Sequence, residues 1–176
     1  YGYKQNDNTV ISSGAGQKVG YTLYVKSNSE GDIYNLTLID KFPHVGDVGT
    51  VNLNSSRNSE FTVYLADNPN FKVDILDSDK NFISTVDSSQ YSVGYSSKIS
   101  YTDEDWNSVT TWDSSYDKNV HKSLRVTLKD GFKLKQWQML RVYFEGIIGD
   151  DAIPGEVAWN SFGYLYSTKN SFNEDI

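Results

Sequence analysis

Cysteine is absent from the 176 residues, proline occurs three times and methionine once. Without cysteine there is no disulfide, no thiolate nucleophile and no cysteine-based zinc site. Lysine and arginine number 16 against 23 aspartates and glutamates, so the chain carries a net charge of −7. No basic patch stands out, and nucleic acid is not an expected partner. No apolar run is long enough to cross a membrane, and no targeting signal or sorting tail is evident. The chain opens on a strand-like stretch and closes on a polar one, residues 167–176, so it reads as a segment of a longer protein. A glycine-rich phosphate loop, a Gly-x-Ser-x-Gly elbow and a nucleophile–base arrangement are also missing, which argues against a conventional hydrolase.

Aromatic residues are plentiful: 13 Tyr, 8 Phe and 4 Trp. Rings at this density suit strands with one packed face and one wet face. Val19, Tyr21, Leu23 and Val25 alternate with more polar neighbours, a period of two. The same alternation marks residues 34–40, 60–65, 71–76 and 123–129; residues 91–101 read as another strand or pair, and residues 134–148 contain at least one further strand. Residues 77–81 read as a hairpin turn and Asp130-Gly131 as another turn. Thr102, followed by three acids and Trp106, marks the start of one short helix. No long segment has a helical period. The expectation is an all-β chain, a single β-sandwich domain over residues 1–176.

Three polar residues sit in or beside these strands. Lys4 follows Tyr1-Gly2-Tyr3, Asp40 ends Leu36-Thr37-Leu38-Ile39, and Asn160 opens Asn160-Ser161-Phe162-Gly163-Tyr164. Asp40 shares its strand face with Leu36 and Leu38, an expensive place for a charge. Desolvation would raise the pKa of such an acid and lower that of a lysine. A buried Lys–Asp pair can then exchange a proton and become neutral on both sides. The neutral amine could attack a carboxamide, with the acid polarising the amide oxygen and passing a proton to the departing ammonia.

These segments resemble the CnaA-type immunoglobulin-like domains of Gram-positive surface adhesins and pilins. The resemblance rests on the Tyr-x-Tyr-Lys start, the aliphatic-x-aliphatic-x-Asp strand and the late Asn-Ser-x-x-Tyr strand. It implies a Greek-key sandwich in which Lys4 and Asn160 join by an intramolecular isopeptide bond, with Asp40 as proton shuttle. It further implies an extracellular, cell-wall-anchored protein whose partners are neighbouring domains of the same polypeptide and a host protein or glycan. No cofactor and no enzymatic turnover are expected. A tie between the two ends would stabilise by about 4–5 kcal/mol through loop closure. Residues 58–141 match none of the family's segments and are expected to form an insertion with extra strands or a short helix.

Lys18 and Lys26 are rival amine donors, and Glu60, Glu145 and Glu156 rival acids. His44 and His121 lack metal-like spacing, and His44 is expected to be exposed. The 77–81 stretch lacks the glycine and distal acid of a calcium loop. Asp103, Glu104 and Asp105 read as a solvated helix start, and no metal site is expected. The sequons at Asn35 and Asn54 carry little weight. The alternative function is a carbohydrate-binding β-sandwich module. Trp106 and Trp112, in a loop-like stretch, are its candidate ligand contacts, and Trp137 is assigned to the core.

Overall fold

Apolar and polar residues alternate along the strands, and two antiparallel sheets bury the apolar parity between them. The computed structural model describes residues 14–28 and 31–168. Its strands are β1 (Lys18–Lys26), β2 (Ile33–Lys41), β3 (Val63–Leu65), β4 (Lys72–Leu76), β5 (Phe82–Thr85), β6 (Tyr91–Ser96), β7 (Ser123–Leu128), β8 (Lys133–Leu134), β9 (Met139–Ile148) and β10 (Ser161–Ser167). One helix, α1 (Asp103–Asn107), and two 3₁₀ turns complete the elements. One sheet runs β1-β9-β4-β5, with β3 also on β9. The other runs β10-β2-β7-β6, with β8 also on β2. The stretch 58–141 supplies β3 to β8 and so contributes strands to both sheets.

The inner faces make one core. Leu23 and Val25 of β1, Val73 and Ile75 of β4, and Leu140, Val142 and Phe144 of β9 meet Leu36 and Leu38 of β2, Leu124 and Val126 of β7 and Phe162 of β10. All of these sit on alternate positions, as a period of two requires. Tyr21 stacks on Phe144, with ring centroids 5.3 Å apart.

The turns follow local chemistry. Asp77 Oδ1 accepts from the backbone N–H groups of Asp79 and Asn81, closing the β4–β5 hairpin. Thr102 and Asp105 form a reciprocal capping box at the start of α1. This element is short, yet it covers the outer face of the second sheet. Trp106 and Trp112 pack there on Ile39, with Tyr101 and Leu165 alongside.

Two aromatic assignments change. Trp106 and Trp112 are 6% and 8% exposed, so their rings are packing and offer no stacking face to a ligand. Trp137, expected in the core, is 55% exposed. It occupies the tight turn before β9, with φ 66°, and so points away from the sheet core. His44 is half-buried rather than exposed, because its Nδ1 lies 3.1 Å from the Phe42 carbonyl.

Candidate functional site: a buried acid against an amide

Asp40 is fully buried at 0% exposure. It sits on β2, a strand held on both sides: by β10, where Phe162 stands opposite it, and by β7, where Leu124 does. Asn160 lies two residues before Phe162, which sets it diagonally from Asp40 within side-chain reach. Its Nδ2 donates to Asp40 Oδ2 at 2.6 Å. Asp40 Oδ1 and the amide oxygen of Asn160, Oδ1, are both buried and have no hydrogen-bond partner among the described residues.

Burial pushes the Asp40 carboxyl up to about 7, while the Asn160 hydrogen bond and the Arg57 charge pull the other way. Protonated and ionised forms are therefore both accessible near neutrality. A protonated carboxyl can donate as well as accept. A half-turn of the Asn160 amide then presents its oxygen to that proton. Burial holds the Tyr21 and Tyr101 phenols above their ordinary value, and the nearby Asp40 charge adds to this.

The geometry depends on Arg57, which the sequence does not advertise. Its Nη1 donates to the Lys41 carbonyl at 2.8 Å and to Ser161 Oγ at 3.3 Å. Its Nη2 donates to the Phe42 carbonyl at 3.0 Å and pairs with Asp47 Oδ2 at 2.5 Å. One guanidinium thus ties the end of β2 to the start of β10, the two points that carry Asp40 and Asn160. Asp47 Oδ2 in turn accepts from Ser59 Oγ and from the His44 N–H. Thr50 Oγ1 closes the same junction by donating to the Ser161 carbonyl at 2.8 Å. Arg57 lies in a run of polar residues, Asn54-Ser55-Ser56-Arg57-Asn58-Ser59, where no periodicity marks it for burial.

Lys4 lies outside the described residues. The rival donors are on the other side of the molecule. Lys18 pairs with Glu145 at 2.8 Å on the outer face of the first sheet, and Lys26 is exposed on that face. The rival acids are committed elsewhere: Glu60 caps the Val157 N–H and Glu156 the Ile153 N–H. Lys41 was not anticipated. It is 1% exposed, and its Nζ donates to the Ile99 carbonyl at 2.6 Å. Burial lowers it to about 8, but strand alternation turns it away from Asp40, onto the outer face.

No family model matches the chain, and no curated protein matches it.

Proposed function

We propose that this chain is a structural and adhesive domain of a bacterial cell-surface adhesin or pilus, of the CnaA immunoglobulin-like type, closed by a spontaneous Lys4–Asn160 isopeptide bond. One observation supports the reading: a fully buried carboxyl in hydrogen-bond contact with a carboxamide, each with an oxygen that has no partner among the described residues. A structural Asp–Asn pair would be expected to satisfy those oxygens, since an unpaired buried acceptor costs about 1–3 kcal/mol. An amine between the two groups would satisfy both. β10 is an edge strand among the described residues, so the flank of Asn160 away from β2 carries no described strand.

The chemistry balances without any co-reactant. The neutral lysine Nζ attacks the Asn160 carboxamide carbon while protonated Asp40 polarises the amide oxygen. The C–N bond to the amide nitrogen breaks, that nitrogen leaves as ammonia, and the new Nζ–C amide remains. Asp40 returns to its starting protonation state. Its position near neutrality suits both halves of this exchange. A dry interior would keep such an amine unprotonated, and packing would align the groups for a single turnover. The product would carry load between its two ends, consistent with a surface protein linked to neighbouring domains.

Intact-mass measurement tests the reading. The folded chain should be lighter than its sequence by one ammonia, and Asp40→Ala and Lys4→Ala should each restore the full mass. Lys18→Ala and Lys26→Ala should keep the deficit. A wild-type chain at full sequence mass refutes the proposal.

A further inference from the structure

The outer face of the first sheet is open, and its charge runs against that of the chain. By register, β1, β9 and β4 direct Lys18, Thr22, Tyr24, Lys26, Arg141, Tyr143, Glu145, Lys72 and Asp74 to this side. Lys80 reaches over from the β4–β5 turn, with its Nζ 4.9 Å from the centre of the Tyr24 ring. The three strands alone place four cations against two acids on this face, although the whole chain is at −7. Both acids are already engaged. Asp74 Oδ2 accepts from Arg141 Nη2 at 2.6 Å, and Glu145 pairs with Lys18. The turn bearing Lys80 also carries Asp77 and Asp79, and Asp77 is committed to the turn's own N–H groups. Lys26, Lys72 and Lys80 have no ion-pair partner among the described residues.

A groove of about 300 Å³ lies at the centre, lined by Thr22, Tyr24, Asn70, Lys72, Asp74, Arg141 and Tyr143. Gly20, beside the groove, makes room for its Tyr143 wall. A Cβ there would lie 3.0 Å from both Cε2 and Oη of Tyr143, so the missing side chain lets that ring lie down across β1. The Asp74 carboxylate, itself 4% exposed and also bonded to Thr85 Oγ1 at 2.8 Å, fixes the Arg141 guanidinium. The result is two aromatic rings, a preset planar donor, an amide and a free ammonium around one small depression.

We propose that this face binds an acidic saccharide, its hydroxyls and anionic group read by Arg141, Lys72 and Asn70 and its ring faces by Tyr24 and Tyr143. A sugar ring offers an apolar C–H face to an aromatic ring and hydroxyl edges to planar polar groups. A carboxylate or sulfate adds charge-assisted bonds to Arg and Lys. The lining holds no aliphatic side chain, which disfavours an apolar ligand, and the volume sits at the small end of ligand sites. A locally positive face on an acidic chain also steers small anions to this spot. The site is distinct from the Asp40–Asn160 pair, and its test does not depend on that pair's chemistry.

Amide chemical-shift titration of the whole chain provides the test. The probes are sialyllactose for the carboxylate, a heparin-derived tetrasaccharide for the sulfate, and lactose as the neutral control. Saturable shifts confined to the neighbourhood of Thr22, Lys72, Arg141 and Tyr143 with either acidic probe support the site, and the stronger responder identifies the anion. Lys72→Glu, at an exposed position where folding is not at stake, should weaken binding about tenfold or more. Tyr24→Leu should weaken it while leaving the melting temperature near wild type. Lys129→Glu, in the turn after β7 of the other sheet, should leave affinity unchanged. The inference is overturned by an absence of response to both acidic probes, by an equal response to lactose, by shifts centred elsewhere, or by a loss in Lys129→Glu that matches Lys72→Glu.

Discussion

Replacing Asp40 with asparagine should flatten the pH dependence of stability between about pH 4 and pH 7. The carboxyl is raised in the folded state from an ordinary 3.8 to about 7, chiefly by burial. Below the lower value it is protonated in both folded and unfolded chains, and burial costs no ionisation. Between the two values the unfolded chain releases the proton and the folded chain keeps it, so stability falls with each step in pH. Above the folded value both states are ionised and the loss is complete. A shift of about 3 units at 1.36 kcal/mol each gives a loss of about 4 kcal/mol across the window. Asparagine keeps the shape of the side chain and its ability to bond Asn160, and it has no proton to lose. Urea denaturation of both chains at a series of pH values measures the difference. An Asp40→Asn chain would also lack the proposed cross-link and so leave a titratable amine, and both chains are therefore compared in a Lys4→Ala background, where neither can form the bond. Parallel pH profiles for the two chains would show that Asp40 is not the buried, proton-retaining group described above.

Arg57→Met should destabilise by about 3–5 kcal/mol, because it leaves the buried Asp47 carboxylate without its partner. It should also reduce the ammonia loss, since the ends of β2 and β10 lose their shared clamp; a change below about 1 kcal/mol by denaturation would deny the clamp its role. Gly94→Ala should cost about 1–3 kcal/mol, because the new methyl would lie 2.6 Å from Trp112 Cβ, within the cover over the second sheet. A neutral result in thermal unfolding would mean that this cover is loose.

The strands were legible where one face is packed and the other wet. β1 and β9 show that pattern plainly, and the Leu36, Leu38 and Asp40 parity correctly placed a carboxyl in the core. Reading failed where the outer face of a sheet is also covered. Along β2 and β7 the second parity, with Ile39, Lys41 and Arg125, looks outward-facing in sequence yet is buried. Nothing local to those strands announces the cover. It comes from residues 97–113, far away in sequence, and the sandwich brings them over. Trp106 and Trp112 were misplaced for the same reason: in a loop-like stretch they looked free to meet a ligand, and they are the underside of that cover. Trp137 erred in the opposite direction, because an apolar ring beside a strand hides a turn that only its positive φ reveals.

This unequal covering of the two sheets would keep the two proposed sites apart. On the second sheet, Arg125 is held by the Trp106 and Ser108 carbonyls and lies 5.9 Å from the Trp112 ring centre. Asp105, on the helix that makes this cover, takes Lys98 at 2.5 Å. Those charges are already partnered within the fold, and a ligand arriving there would have to break them. On the first sheet the equivalent positions hold Lys72, Arg141 and Tyr143 around an open groove, with cations to spare. Among the described residues, the interior between the sheets holds the one buried carboxyl whose cost of burial is not offset by an ion pair. Under the cover of the second sheet the buried cations Lys41 and Arg125 are satisfied by carbonyl oxygens, whereas the inside of β2 and the outer face around β9 hold ionisable groups left without an ion-pair partner among the described residues. A buried acid kept neutral at a stability cost of about 4 kcal/mol is readily replaced by any apolar residue unless its proton is used. Its presence at the junction of β2 and β10 is the strongest reason to look for chemistry there.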